Sequence, residues 1–173
     1  MNVKITDATE NDVERLIEVY SSSHLYHTRE EASWYVKPFF DYHHIKAVKL
    51  DDVPAGWLFW RVESERHHGI VVIDELWVDE KFRRKGLGEK LLRTSIEDAK
   101  NLFKRDGFVL RKVLVTTAED NEPARKLYEK IGFQKSAVLK DLYGKGENEI
   151  VYILTLNPWT IRLIEMGGMP CDK

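Results

Sequence analysis

The stretch that most constrains this chain is Glu75–Leu92, ELWVDEKFRRKGLGEKLL, which joins an apolar run to an amphipathic one through a basic turn holding two glycines. Gly86 and Gly88 remove the side chains that would hold a ligand off the backbone. A helix opening behind them offers N–H groups without intrahelical acceptors at the positive end of its dipole. Lys81, Arg83, Arg84 and Lys85 add positive charge at the same place. Together they predict a backbone cradle for an anion, with a phosphate-bearing cofactor as the first candidate.

Length and composition narrow the rest. With 173 residues, 43% of them hydrophobic, one sizeable core is within reach and two domains are not, so a single domain over residues 1–156 is expected, with 157–173 as a short helix or loose tail. A formal net charge of −2 supplies no global field toward nucleic acid or an anionic membrane, which makes the basic turn a local feature. The one cysteine, Cys171, rules out an intramolecular disulfide and suits a reducing, cytoplasmic setting. No run approaches the roughly 18 to 20 apolar residues of a membrane span, and the N-terminus has no apolar signal core.

Along the chain, Val3–Thr6 alternates like a strand, and Val13, Leu16, Ile17 and Tyr20 share one helical face behind cap chemistry at 7–12. The aromatic segment 31–42 follows, with Pro38 expected to limit any helix begun near Glu30. Residues 45–50, 55–63 and 69–78 read as strands of an antiparallel meander. The third, apolar on both faces except at Asp74 and Glu75, is expected to be central and covered on each side. Alternation sends Asp74 and Glu75 to opposite faces, where they should serve different layers. After the glycine turn, Leu87 to Phe103 forms a helical stripe, and 108–117 is a strand. Ala124, Leu127, Tyr128 and Ile131 make a second stripe stopped by Gly132, and 133–139 with 149–156 forms a terminal hairpin. The order β, α, α, β, β, β, α, β, α, β, β specifies an α/β (α+β) fold: a mixed, mostly antiparallel sheet of about seven strands with helices on both faces.

These residues carry a family resemblance. Arg83-Arg84-Lys85-Gly86-Leu87-Gly88, between a strand and a helix, resembles the Arg/Gln-x-x-Gly-x-Gly/Ala signature of the GNAT acetyltransferase superfamily. Asn121 to Phe133, NEPARKLYEKIGF, resembles its second signature at matching spacings. The resemblance implies acetyl-CoA as cosubstrate at a central splay of the sheet. It implies that the backbone of Leu76, Trp77 and Val78 pairs with the pantetheine arm, that 84–89 (Arg84, Lys85, Gly86, Leu87, Gly88, Glu89) grips the pyrophosphate beside Arg83, and that Asn121 touches the coenzyme arm. Homodimers occur in the family, so a homodimer is allowed.

By the same resemblance Tyr128 is the general acid that protonates the departing thiolate, a task suited to a neutral phenol; its position on an apolar stripe also fits a core aromatic. A protonated amine must lose a proton before attack, and Asp74 and Glu75 are the candidate bases. Asp74-Glu75-Leu76-Trp77-Val78 resembles the Glu-Asp-Leu-Tyr-Val run of polyamine acetylases with the acids reversed, which points to a small amine or polyamine acceptor. The hairpin segment Leu142–Asn148 partly resembles that of the ribosomal-protein N-terminal acetylases and keeps a peptide amine as the alternative, although Thr116 stands where those enzymes carry a glutamate. A catalytically silent acyl-CoA-binding module is a third reading. The six histidines, including His43-His44 and His67-His68, lack metal-ligand spacing and read as solvated turn residues, so no metal is expected.

Overall fold

The structure, a computed structural model, describes residues 2–22, 28–51 and 53–156; the expected C-terminal extension lies outside them. The elements are β1 (Val3–Asp7), α1 (Glu10–Ser21), α2 (Arg29–Tyr42), β2 (His44–Leu50), β3 (Val53–Val62), β4 (Ile70–Val78), α3 (Leu87–Arg105), β5 (Lys112–Ala118), α4 (Glu122–Ile131), β6 (Gln134–Leu139) and β7 (Glu149–Thr155). Hydrogen bonding orders the strands β1-β2-β3-β4-β5-β7-β6. The pairs β1·β2, β2·β3, β5·β7 and β6·β7 are antiparallel. This is the mixed, mostly antiparallel seven-stranded sheet that the sequence pattern specifies.

The chain forms two compact units, Met1–Arg61 with Val72–Asp98, and Val62–Val71 with Ala99–Lys173. In the first, α1 starts at a capping pair in which the Asp12 carboxylate accepts the Thr9 N–H at 2.9 Å and also meets Lys49 at 3.1 Å. Its stripe of Leu16, Ile17 and Tyr20 packs with Ala32 and Val36 of α2 and with Ile45, Ala47, Trp57 and Phe59 of the sheet. Two departures from expectation occur here. α2 runs straight through Pro38 to Tyr42. The carbonyl freed by the missing proline N–H belongs to Trp34, four residues back, and both residues lie on the exposed side of the helix, where the helix tolerates the missing bond best. β4 is also less covered than its composition suggests: Val71 and Ile73 are buried, but Leu76, Trp77 and Val78 remain partly open among the described residues.

The second unit is built on β5, β7 and β6 with α4. The strand expected from Phe108 begins only at Lys112, because the intervening backbone has other partners. Phe108 N–H closes the end of α3 on Phe103 O at 2.8 Å, while Arg111 and Lys112 both donate to Gly69 O, at 2.7 and 3.0 Å. In α4, Tyr128 packs on Phe133 and Tyr152, with ring centroids 5.7 and 5.8 Å away. Gly132 ends the helix in the left-handed region at φ 110°.

One glycine fixes a close backbone approach in the first unit. A Cβ on Gly56 of β3 would lie 2.5 Å from Trp77 O and 3.1 Å from Val78 Cα. Gly56→Ala should therefore displace the end of β4 and lower stability by about 1–3 kcal/mol, measured by chemical denaturation, the range for overpacking a tight site.

Candidate active site

The end of β4 and the start of α3 are joined by a turn whose backbone is set residue by residue. Asp79 N–H returns to Ala55 O at 3.0 Å, and the Asp79 carboxylate takes the Lys81 N–H at 3.0 Å, starting a short 3-10 turn over Glu80–Phe82. Arg83 faces back: its Nε donates to Val78 O at 2.9 Å and its guanidinium reaches Glu80 at 3.3 Å. Arg84 then sits at φ 61° and Gly86 at φ 74°. Left-handed residues separated by one ordinary residue curl successive N–H groups toward a common point, an arrangement that binds anions. Gly86 O accepts Lys90 N–H at 3.1 Å, so the Leu87 and Gly88 amides ahead of it have no acceptor within the helix.

The cations of this turn are not equivalent. Arg83 braces the loop, and Lys85 Nζ lies 5.4 Å from the centre of the Phe82 ring. Arg84 and Lys81 are exposed and form no ion pair among the described residues. Space around Gly86 is open, since a Cβ there would meet nothing within 4 Å; glycine is required by its φ, not by crowding. Curled amides, a helix start and two unbraced cations fit a diphosphate.

Glu75 and Asp74 are adjacent but differently partnered. Burial pushes the Glu75 carboxyl above the usual range, with the Asp74 charge adding to the rise and the nearby Tyr20 and Tyr35 hydroxyls partly offsetting it. Asp74 instead accepts from His43 Nε2 at 3.0 Å and Arg61 Nε at 3.2 Å. His43 is not a solvated turn residue: its side chain is 13% exposed, and burial lowers its pKa against the pull of Asp74, so the neutral ring donates Nε2–H to the carboxylate. His44 lies stacked on Trp60 at 4.1 Å. The two acids do not serve separate layers either. Tyr20, Tyr35, Phe39 and His43 form one continuous run of ring contacts at 5.2, 4.7 and 4.4 Å, and the partners of both carboxylates belong to it. Alternation governs how a side chain leaves its strand, whereas His43, extended just past the end of α2, reaches Asp74 from that same aromatic layer.

In the second unit, Asn121 caps α4, with Oδ1 accepting Ala124 N–H at 3.3 Å. Tyr128 is 4% exposed. The Tyr152 hydroxyl beside it donates to Glu129 Oε1 at 2.8 Å. Among the described residues no group of three His, Cys, Asp or Glu side chains is placed to hold a metal, and no helix is long and apolar enough to cross a membrane.

Residues 13–133 match the acetyltransferase (GNAT) family. The chain belongs to that family. Over 77 residues it is 31% identical to the spermine/spermidine N(1)-acetyltransferase of Bacillus subtilis, a match covering 44% of this chain and 47% of that protein. Over 69 residues it is 36% identical to the N-alpha-acetyltransferase of Saccharolobus solfataricus, covering 40% of this chain and 38% of that one. The chain thus matches about half the length, or less, of these two GNAT relatives. A GNAT acetyltransferase from Elizabethkingia anophelis, solved with acetyl-CoA bound, has the same fold at a TM-score of 0.68 and 18% identity, covering 90% of this chain and 99% of that one.

Sequence reasoning passed over Gly56 and read His43 as a solvated turn residue. Gly56 could have been noticed as a glycine inside a strand, a common mark of close backbone approach. Nothing in the sequence pairs His43 with Asp74.

Two measurements test this geometry. Arg84→Gly should raise stability by about 1 kcal/mol, read by denaturant unfolding, because glycine adopts φ 61° without the steric cost that arginine bears there. For Glu75, folded and unfolded chains both hold the proton at low pH; as pH rises the unfolded chain releases it first, so folding loses stability until the raised folded pKa is passed. Glu75→Gln should therefore be more stable than the parent near pH 8 and gain nothing near about pH 3, in thermal melts at both values.

Proposed function

We propose that this chain is an N-acetyltransferase that moves an acetyl group from acetyl-CoA directly to a primary amine, with a small amine or polyamine as the acceptor. The observation that carries the reading is the cradle at 84–88, where left-handed Arg84 and Gly86 precede the open amides of α3. Those amides and the side chains of Arg84 and Lys81 would hold the pyrophosphate of the coenzyme, and the partly open backbone of Leu76, Trp77 and Val78 would take its pantetheine arm as an added strand. Once bound, the coenzyme supplies an activated thioester.

The chain's own residues supply proton handling. The amine arrives as an ammonium and must be deprotonated before its lone pair forms the new C–N bond. Of the two predicted carboxylates, Glu75 suits this better. Asp74 is held by His43 and Arg61, whereas Glu75 faces two phenols and has a raised pKa, which brings it closer to that of the proton it must accept. As the C–S bond breaks, Tyr128 delivers its phenolic proton to the sulfur. The 36% identity to an N-alpha-acetyltransferase favours a peptide N-terminus as the second reading.

The test is thiol release from acetyl-CoA across spermidine, small monoamines and N-terminal peptides, with Tyr128→Phe alongside. The parent should turn over at least one amine, and the variant should bind acetyl-CoA as the parent does while kcat falls on the order of 100-fold. Thiol release with no acceptor, or a Phe variant with undiminished kcat, would contradict the mechanism.

A further inference from the structure

Glu149 is a buried carboxylate that the mechanism above leaves unused. It opens β7 opposite Ala118 of β5 and Leu139 of β6, and only 8% of its surface is exposed. The other carboxylate as deeply buried, Asp12, has partners that satisfy it: it pairs with Lys49 and accepts the Thr9 N–H. Around Glu149, the described residues provide no cation; the Thr116 hydroxyl favours the charged form, and the charge that acts on it is the like-signed Asp120. Burial, with Asp120 adding to it, pushes its pKa up. A desolvated carboxylate without a counter-ion opposes folding, and such groups concentrate where a ligand supplies the missing charge.

The register shows which surface it serves. Along β7, Tyr152 reaches α4, where its ring meets Tyr128 and its hydroxyl meets Glu129. Alternation therefore turns Glu149 and Val151 to the opposite face, together with Thr116 and Ala118 of β5 and Ala137 and Leu139 of β6. Thr116, Ala137 and Leu139 on that face are exposed, Leu139 by 39%, so Glu149 lies just beneath an open, mostly aliphatic surface. Its edge is fixed by Asn148, whose side chain donates to Glu119 Oε2 at 2.9 Å while its carbonyl takes the Glu119 N–H at 2.9 Å.

We propose that Glu149 is a specificity residue of the acceptor site, binding the distal, non-reacting ammonium group of a di- or polyamine whose methylenes lie along Val151, Ala137 and Leu139. The proposal rests on the acetyltransferase reading and narrows its acceptor to cations with an aliphatic body. Thr116 lies on the same face beside the carboxylate, and the incoming ammonium provides the charge that the described residues omit. Because this face lies opposite the one that carries Tyr128, Glu149 recognises the acceptor and does not protonate the leaving thiolate.

The test uses the full chain labelled with carboxyl-13C glutamate, the Glu149 signal being assigned by its loss in Glu149→Gln. Spermidine and 1,4-diaminobutane should each shift that signal saturably, and uncharged butanol should not. In thiol release, Glu149→Gln should raise the amine KM at least ten-fold and leave the acetyl-CoA KM within two-fold, with a melting temperature no lower than the parent's. Glu149→Asp, which keeps the charge, should recover part of the amine KM. Absence of a shift with either amine, a shift with an N-terminal peptide but not with the amines, or an unchanged amine KM in Glu149→Gln would overturn the proposal. If the parent released no thiol with any acceptor, the acetyltransferase reading would fail by itself, and the carboxyl titration would still decide the role of Glu149.

Discussion

The turn from β4 into α3 depends on a backbone arrangement that its side chains protect from both ends. Gly56 lets β3 approach the Trp77–Val78 backbone, and Arg83 reaches back to the Val78 carbonyl, so the strand end is held while its other surfaces remain partly open. The next residues enter the left-handed region twice, at Arg84 and Gly86. An arginine in that region is strained, and strain of this kind persists where the surrounding structure over-determines the conformation and function uses it. Here the use is amide direction: the bends turn N–H groups outward at the start of a helix, where the dipole already favours an anion.

The acids next to this strand end show how environment separates two identical functional groups. Asp74 is ion-paired with Arg61 and accepts a hydrogen bond from a neutral histidine, while Glu75 is shielded from water beside two phenols. Opposite charge stabilises a carboxylate as an anion, and burial stabilises it as an acid. One aromatic run from Tyr20 to His43 lies beside both acids, so a change in packing along α1 and α2 reaches both carboxylates. Glu149 follows the same logic in the second unit, with a hydroxyl in place of a cation.

Most of the fold was legible because periodicity and turn chemistry agreed with each other along nearly the whole chain. The order of strands and helices, the helix from Leu87 and the terminal hairpin all follow from apolar spacing and from glycine or cap residues at the breaks. Pro38 misled because the proline rule weighs most in a buried helix interior, and Pro38 and Trp34 both lie on the exposed side of α2. Phe108 misled because an apolar, β-prone run was used to close a helix and to pair with Gly69. The cradle was legible from its glycines and charges, while the left-handed Arg84 was not, since arginine has no propensity for that region. Pairings between distant residues, His43 with Asp74 or Glu149 with Thr116, depend on register and packing, which spacing along one chain does not encode.

The claim that the turn at 84–88 grips the diphosphate of coenzyme A is most directly tested by calorimetry of the full chain with acetyl-CoA, ATP and NAD in turn. Acetyl-CoA should bind with the highest affinity of the three, and Arg84→Ala should weaken it. Tighter binding of ATP or NAD than of acetyl-CoA would contradict the account.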